Sequence, residues 1–338
     1  MKRFKSIAVP GGAGYVGSVL VPRLLQEGYR VKVLDLFLYG REPLQAVSSH
    51  PNLELIEGDV RDSEAVARLV EGCDAVIHLA CISNDPSVEL DPELSRSVNF
   101  ESFGPFVKLA KRAGVKRFIF ASSGSVYGVS DNPNVTEEHP LVPVSLYNKY
   151  KAKCEPHLQS EASSDFVPII VRPATIRGYS PRQRLDLTVN ILTSHAYFKR
   201  KITVFGGSQM RPNLHMQDMV DLYCLLLEVE DDKVYNQIFN AAYHNYSVAE
   251  TARIVKGVVQ EEFPDWDELP IVTQASDDIR SYHISSEKIR RVLDFVPQRS
   301  IEDGARDLLR AFRDGLLPGA PDDERYNNVR HMKTLLLK

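Results

Sequence analysis

Cysteine is scarce and scattered. The four cysteines, Cys73, Cys81, Cys154 and Cys224, form no Cys-x-x-Cys pair and match no metal-ligand spacing. Free buried thiols in a reducing compartment are therefore expected, and no metal. No run approaches the roughly 18 apolar residues of a membrane span, so no membrane partner is expected. The apolar start MKRFKSIAV enters a glycine turn at once, too soon for the core of a signal peptide; the expected location is the cytoplasm. Charge of one sign is also missing. With 41 Lys and Arg against 45 Asp and Glu, the net charge is -4, which gives no reason to expect a nucleic-acid partner. Repeats and low-complexity blocks are absent. What is present, 43% hydrophobic and 25% charged residues in 338, describes a soluble globular chain of one large or two ordinary domains.

The first half alternates short β-rich runs with helical patterns. Strands are predicted at 5–9, 31–36, 53–58, 74–80, 117–122 and 166–172, with a last one within 234–242. Helices are predicted at 15–27, 62–71, 94–113 and 144–162. Strands that are apolar on both faces and separated by single helices describe an α/β, Rossmann-type parallel sheet covered on two sides. After Pro173 the pattern changes. A loop with Gly178, Pro181 and several arginines precedes a helix at 187–198, then a strand outside the main sheet at 202–207. Residues 246–317 read as mostly helical, and PGAPDDERYNN (318–328) reads as a surface excursion before a short helix or tail. The expected division is a nucleotide-binding domain of residues 1–175 to which 208–243 return. A smaller, mostly helical substrate domain takes 176–207 and 244–338.

PGGAGYVGS (10–18) joins the first strand to a helix. Gly11, Gly14 and Gly17 suit a turn whose backbone must approach a pyrophosphate, with the helix start offering N–H groups to it. Asp35, at the end of the second strand, is placed to accept hydrogen bonds from an adenosine ribose. Its charge would repel the extra phosphate of NADP, which favours NAD, although Arg41 lies within reach. Asp59 and Val60 end the third strand where an adenine edge would lie; Asp59 competes with Asp62 as a helix N-cap.

The stretch LYNKYKAKCE (146–155) offers two Tyr–Lys pairs. Tyr147 and Lys151 are four apart and Tyr150 and Lys153 three apart, so either pair can share a helix face. A tyrosine is a poor base at neutral pH unless a nearby ammonium favours its phenolate. Such a pair, with a serine hydroxyl to orient a substrate oxygen, is what hydride transfer from an alcohol requires.

The order of motifs resembles the extended short-chain dehydrogenase/reductases, and within them the nucleotide-sugar epimerases and dehydratases. It rests on PGGAGYVG, GDVR (58–61), HLAC (78–81), SSGSVYG (122–128), Tyr147-x-x-x-Lys151, RPATIRGYSP (172–181) and RPNLHMQD (211–218). The resemblance selects Tyr147 as acid/base, Lys151 as its partner and Ser123 as hydroxyl donor, with Ser125 a candidate for sugar contact. It implies cofactor contacts from Tyr15, Val16, Leu79, Ala80, Cys81, Asn99, Pro173 and Thr175. It implies a structural salt bridge for Glu155, and a diphosphate-bearing substrate held by Arg211, with Arg280 and Asn190 as further candidates. Arg177, Arg182 and Arg184 add positive charge to the loop, where Tyr179 is a candidate to close over the pocket. A homodimer through the helices at 94–113 and 144–162 is expected, with Leu94, Val98, Val107 and Ala110 as its apolar positions.

Departures from the pattern bear on the reaction. Pro10 replaces a hydroxyl residue and Cys81 an alanine. The 4,6-dehydratases carry Asp-Glu directly after the serine or threonine equivalent to Ser123; here Gly124 and Ser125 stand there, so dehydration is not expected. The resulting expectation is an NAD-dependent nucleotide-sugar epimerase acting at C4 through a 4-keto intermediate. The alternatives are a nucleotide-sugar 4-ketoreductase or dehydrogenase, and a non-catalytic NAD-binding protein.

Overall fold

The computed structural model describes residues 2–276 and 281–335. Twelve strands occur in chain order among them: β1 (Ser6–Pro10), β2 (Arg30–Asp35), β3 (Leu53–Glu57), β4 (Ala75–His78), β5 (Arg117–Ala121), β6 (Val167–Pro173), β7 (Thr175–Arg177), β8 (Ile202–Phe205), β9 (Met210–His215), β10 (Gln237–Ala241), β11 (His244–Ser247) and β12 (Ile271–Gln274). Seven form one sheet in the order β10-β6-β5-β4-β1-β2-β3, and every pairing within it is parallel. The order reverses beside β1, between β4 and β2, which opens a crevice at the C-terminal strand ends.

The period-2 pattern of the central strands sorts their side chains onto two faces. Ile7, Val9, Ile77 and Ile119 enter one apolar cluster. Ala8, Val76, Phe118 and Phe120 enter the other. Both faces are covered by helices, so the strands read as unbroken apolar runs. A third cluster gathers residues of the helices Thr188–Lys199, Val248–Glu262 and Ile301–Arg313, together with β8.

Three expectations change. Residues 208–215 do not join the main sheet: β9 pairs with β7 and β11 in a separate three-stranded sheet, and the return begins with the helix Met216–Glu228. The helix expected at 94–113 is interrupted. It runs Pro92–Arg96, then a π-helical turn Ser97–Glu101, then Phe103–Arg112, and such turns concentrate at functional sites. Its apolar positions also face inward: Val107 and Ala110 sit in the chain's own core, while Leu94 and Val98 line the cavity described below. Among the described residues no helix is long and apolar enough to cross a membrane.

Candidate active site

A cavity of about 780 Å³ opens over the crevice. Gly11, Gly14, Tyr15, Val16 and Gly17 line it from the first turn, Asp35 from the end of β2 and Asp59 and Val60 from the residues after β3. Leu79, Ala80 and Cys81 follow β4, Ser123 and Ser125 follow β5, and Pro173 and Thr175 end β6 and open β7. Tyr147, Lys151 and Arg211 complete the set.

The turn fits a dinucleotide. Gly11 has a φ of +79°, and a Cβ there would lie 2.6 Å from the Ala80 nitrogen. At Gly17 a Cβ would lie 2.5 Å from the Gly12 carbonyl oxygen. Backbone packs against backbone at both points, and only glycine permits it. The helix Gly17–Gln26 begins with no side-chain cap and no acidic residue in its first turn, which leaves its positive end for an anion. Asp35 accepts the Ala13 and Phe37 N–H groups at 2.9 Å each. Burial pushes its pKa up, while those two amides and Arg182 act against the shift. A carboxylate oxygen with one amide bound keeps a lone pair for a ribose hydroxyl. Arg41 pairs with Glu57 and lies over the Phe37 ring, away from that lone pair. Asp59 is held by Arg61, and Asp62 caps the next helix by accepting the Glu64 N–H at 2.9 Å.

The residues expected to carry the chemistry lie where the helix Leu146–Gln159 crosses the end of β5. Ser145 caps that helix and donates its hydroxyl to Asp85. Lys151 is 3% exposed and donates its ammonium to the Ala121 carbonyl at 2.6 Å. Its Nζ is 6.0 Å from the centre of the Tyr147 ring. Burial holds the Tyr147 pKa well above its ordinary value, Cys81 and Asp85 push in the same direction, and Arg184 opposes them. Ser123 and Ser125 share a hydrogen bond of 2.7 Å, and Ser125 donates onward to Asn148 Oδ1 at 2.5 Å. Tyr150 and Lys153 do not enter the cavity: the Tyr150 hydroxyl reaches the Pro92 carbonyl and Lys153 lies over Phe100.

Four candidate residues lie elsewhere. Asn99 is buried with its amide bonded to both backbone groups of Ile82, at 2.8 and 2.9 Å. It holds the wall behind the cofactor without reaching the cavity. Asn190 is fully buried, and its side chain binds the Gly178 N–H, the Tyr15 hydroxyl and the Arg184 carbonyl. It ties the glycine turn to the loop after β7, with no group left for a sugar. Tyr179 packs against the third core instead of closing the pocket. Arg177 is fully buried and donates to the Arg299 carbonyl, so it adds no charge to the cavity. Arg280 falls outside the described residues.

Of the remaining wall residues, only Arg182 and Arg184 have a reading in the sequence, as positive charge of the loop. Arg184 and Asp186 line the cavity and pair at 2.9 Å. Burial works to raise the Asp186 pKa, but the Arg184 and Arg182 guanidiniums hold it below the usual carboxylate range. Asn84 reaches Asp186 at 3.0 Å from a φ of +75°, a conformation that costs about 1–3 kcal/mol outside glycine. The run Asn84-Asp85-Pro86 did carry a legible signal, since Asn or Asp before Pro marks a helix start. Tyr282 and the C-terminal segment from Asn327 to Met332 also contribute to the wall. Proximity of these segments exists only in three dimensions.

The model of the NAD dependent epimerase/dehydratase family matches residues 7–242. The chain belongs to that family. Its cofactor is NAD, for which the glycine turn and Asp35 are suited. A UDP-glucose 4-epimerase of Lactobacillus helveticus is 28% identical over 75% of this chain and 82% of its own length. A dTDP-glucose 4,6-dehydratase of Streptomyces griseus is 28% identical over 88% of this chain and 91% of its own. Among solved structures, a double mutant of the dTDP-glucose 4,6-dehydratase DesIV from Streptomyces venezuelae, with NAD bound, superposes at a TM-score of 0.80 with 25% identity, covering 92% of this chain and 97% of its own. Membership in this family makes the chain an NAD-dependent enzyme and leaves more than one reaction open to it.

Proposed function

We propose that this family member is a nucleoside-diphosphate-sugar epimerase acting at C4. The observation that carries the reading is the closed space beside Gly124. A Cβ there would meet Ile284 Cδ1 at 3.1 Å and the Pro173 carbonyl oxygen at 3.2 Å, so the wall closes tightly on a glycine at the position where dehydratases of this type carry an acid. Asp186, ion-paired and held ionised, is no proton donor either. Without an acid at the Gly124 position to expel water, the machinery supports oxidation and reduction at one carbon.

When bound, NAD supplies a positively charged ring that takes hydride from the sugar carbon and returns it. Tyr147 takes the hydroxyl proton and later gives it back. A positive charge near the phenol counters the burial that otherwise keeps it protonated. Ser123 orients the substrate oxygen, and the Ser125–Asn148 bond holds Ser123 in register. Lys151 fixes the end of β5 and offers its remaining N–H groups to the cofactor ribose. Arg211 is the proposed ligand for the sugar's diphosphate. A cavity shared by both ligands suits rotation of a keto sugar between its two faces.

A second reading has one observation in its favour. A phenol kept protonated by burial suits proton delivery to a keto oxygen, as in an NAD-linked 4-ketoreductase. The two separate on cofactor handling. The epimerase should carry NAD through gel filtration and convert a UDP-sugar, followed by NMR, with none added. A stoichiometric change in NADH with a keto sugar would establish the second reading. Hydrogen from solvent appearing at C5 with loss of water would overturn both.

A further inference from the structure

Arg182 stands apart from the other arginines of the cavity wall. It is 4% exposed, and its three guanidinium nitrogens can each be followed. Nη2 donates to Asn328 Oδ1 at 2.6 Å, while Nε and Nη1 have no hydrogen-bond partner. Arg184 has Asp186 for a counter-charge, whereas Arg182 lies 3.4 Å over the face of the Tyr39 ring. A buried guanidinium with two unused donors is costly unless an anion meets it. Burial has already drawn its pKa down to about 10, with Arg184 adding to the shift.

Its place in the fold says which anion. The Arg182 N–H is bonded to Ser18 Oγ at 3.3 Å, in the first turn of the helix that the glycine turn opens. Its charge is felt at Asp35, and Tyr39 lies four residues beyond Asp35. Arg182 thus flanks the cradle between the helix start at Ser18, where a diphosphate would lie, and the ribose site at Asp35. The C-terminal helix Asn328–Leu335 packs over the same place. Asn328 bridges Arg182 to Ser83 Oγ at 2.8 Å, and the His331 ring bonds the Leu38 carbonyl at 2.7 Å while packing 4.8 Å from Tyr39. The segment expected to be a short helix or tail is a helix that straps the wall.

We propose that Arg182 is a ligand for the diphosphate of NAD and that the C-terminal helix, through Asn328, holds its guanidinium fork in place, so that the strap sets how tightly the cofactor is retained. This inference rests on NAD being the cofactor and not on which reaction follows, so its failure would leave the epimerase reading standing. Retention is nevertheless what an epimerase needs, because the same nicotinamide must take and return one hydride.

Binding to cofactor-stripped full-length protein, measured by calorimetry at low and physiological salt, tests it with ADP-ribose, adenosine and UDP as probes. Arg182→Met should weaken ADP-ribose at least tenfold and flatten its salt dependence, leaving adenosine and UDP within twofold. Arg182→Lys, which keeps charge without the planar fork, should fall between. Asn328→Ala should speed NAD release from the holoenzyme several-fold. Unchanged ADP-ribose binding would overturn the proposal. So would equal weakening of adenosine and ADP-ribose, the mark of a merely structural arginine, or a loss confined to UDP, the mark of a substrate ligand. Should Arg182→Met not fold, Arg182→Lys and Asn328→Ala decide by the same readings.

Discussion

Replacing Glu155 by alanine tests the joint that holds the chemical helix to the sheet. Glu155 lies two turns beyond Tyr147 on the same helix, and Arg172 lies near the end of β6. Each side chain is 3% exposed, and they meet at 2.6 Å. The other carboxylate oxygen accepts Arg172 Nε at 3.0 Å and the Ser122 hydroxyl at 2.6 Å. Arg172 Nη1 donates further to Tyr127 at 2.7 Å. Removing the carboxylate leaves a buried cation with two donors unpaired, so the single change should cost about 3–5 kcal/mol. Replacing both partners by apolar residues, Glu155→Leu with Arg172→Met, removes the charge as well. That double variant leaves the Ser122 hydroxyl and the Glu137 carbonyl without these partners and should lie within about 2 kcal/mol of the parent. Equilibrium unfolding in urea, followed by two probes whose transitions coincide, measures both. A cost below about 1 kcal/mol for Glu155→Ala, or a double variant as unstable as the worse single, would refute the reasoning.

Tyr147→Phe should lower turnover by about 10²–10⁴-fold while NAD content, read from the absorbance of released nucleotide, stays unchanged. Gly11→Ala forces a Cβ to within 2.6 Å of the Ala80 nitrogen at a φ of +79°, and the protein should purify without NAD. His78 is enclosed by Phe103, Phe106, Phe118 and Phe120. Burial first and Lys151 second draw its pKa down to about 3. The unfolded chain therefore binds a proton that the folded one refuses, and stability falls as pH drops below the ordinary histidine value of about 6.5. His78→Leu should remove about 2 kcal/mol of the loss between pH 7 and pH 5, as read from urea midpoints at each pH.

What the sequence determined by itself was local or periodic. Each strand of the main sheet lies within a few residues of its expected span, because a β-run buried on both faces announces itself without knowledge of its neighbours. The glycine turn was legible because its spacing answers one backbone geometry. Tyr147 and Lys151 share a face because a helix repeats every 3.6 residues. Asn190 and Asn99 misled for the opposite reason. A polar residue at a family position does not state which way its amide turns, and buried carbonyl and N–H groups of Gly178 and Ile82 claimed both side chains. The wall formed by Arg182, Arg184, Asp186 and the C-terminal helix was decided only by tertiary structure. Its members come from distant segments, and only folding could reveal that Asn328 lies against Arg182, 146 positions earlier in the chain. Contacts of that kind leave no period in the sequence, since they depend on where every intervening element packs.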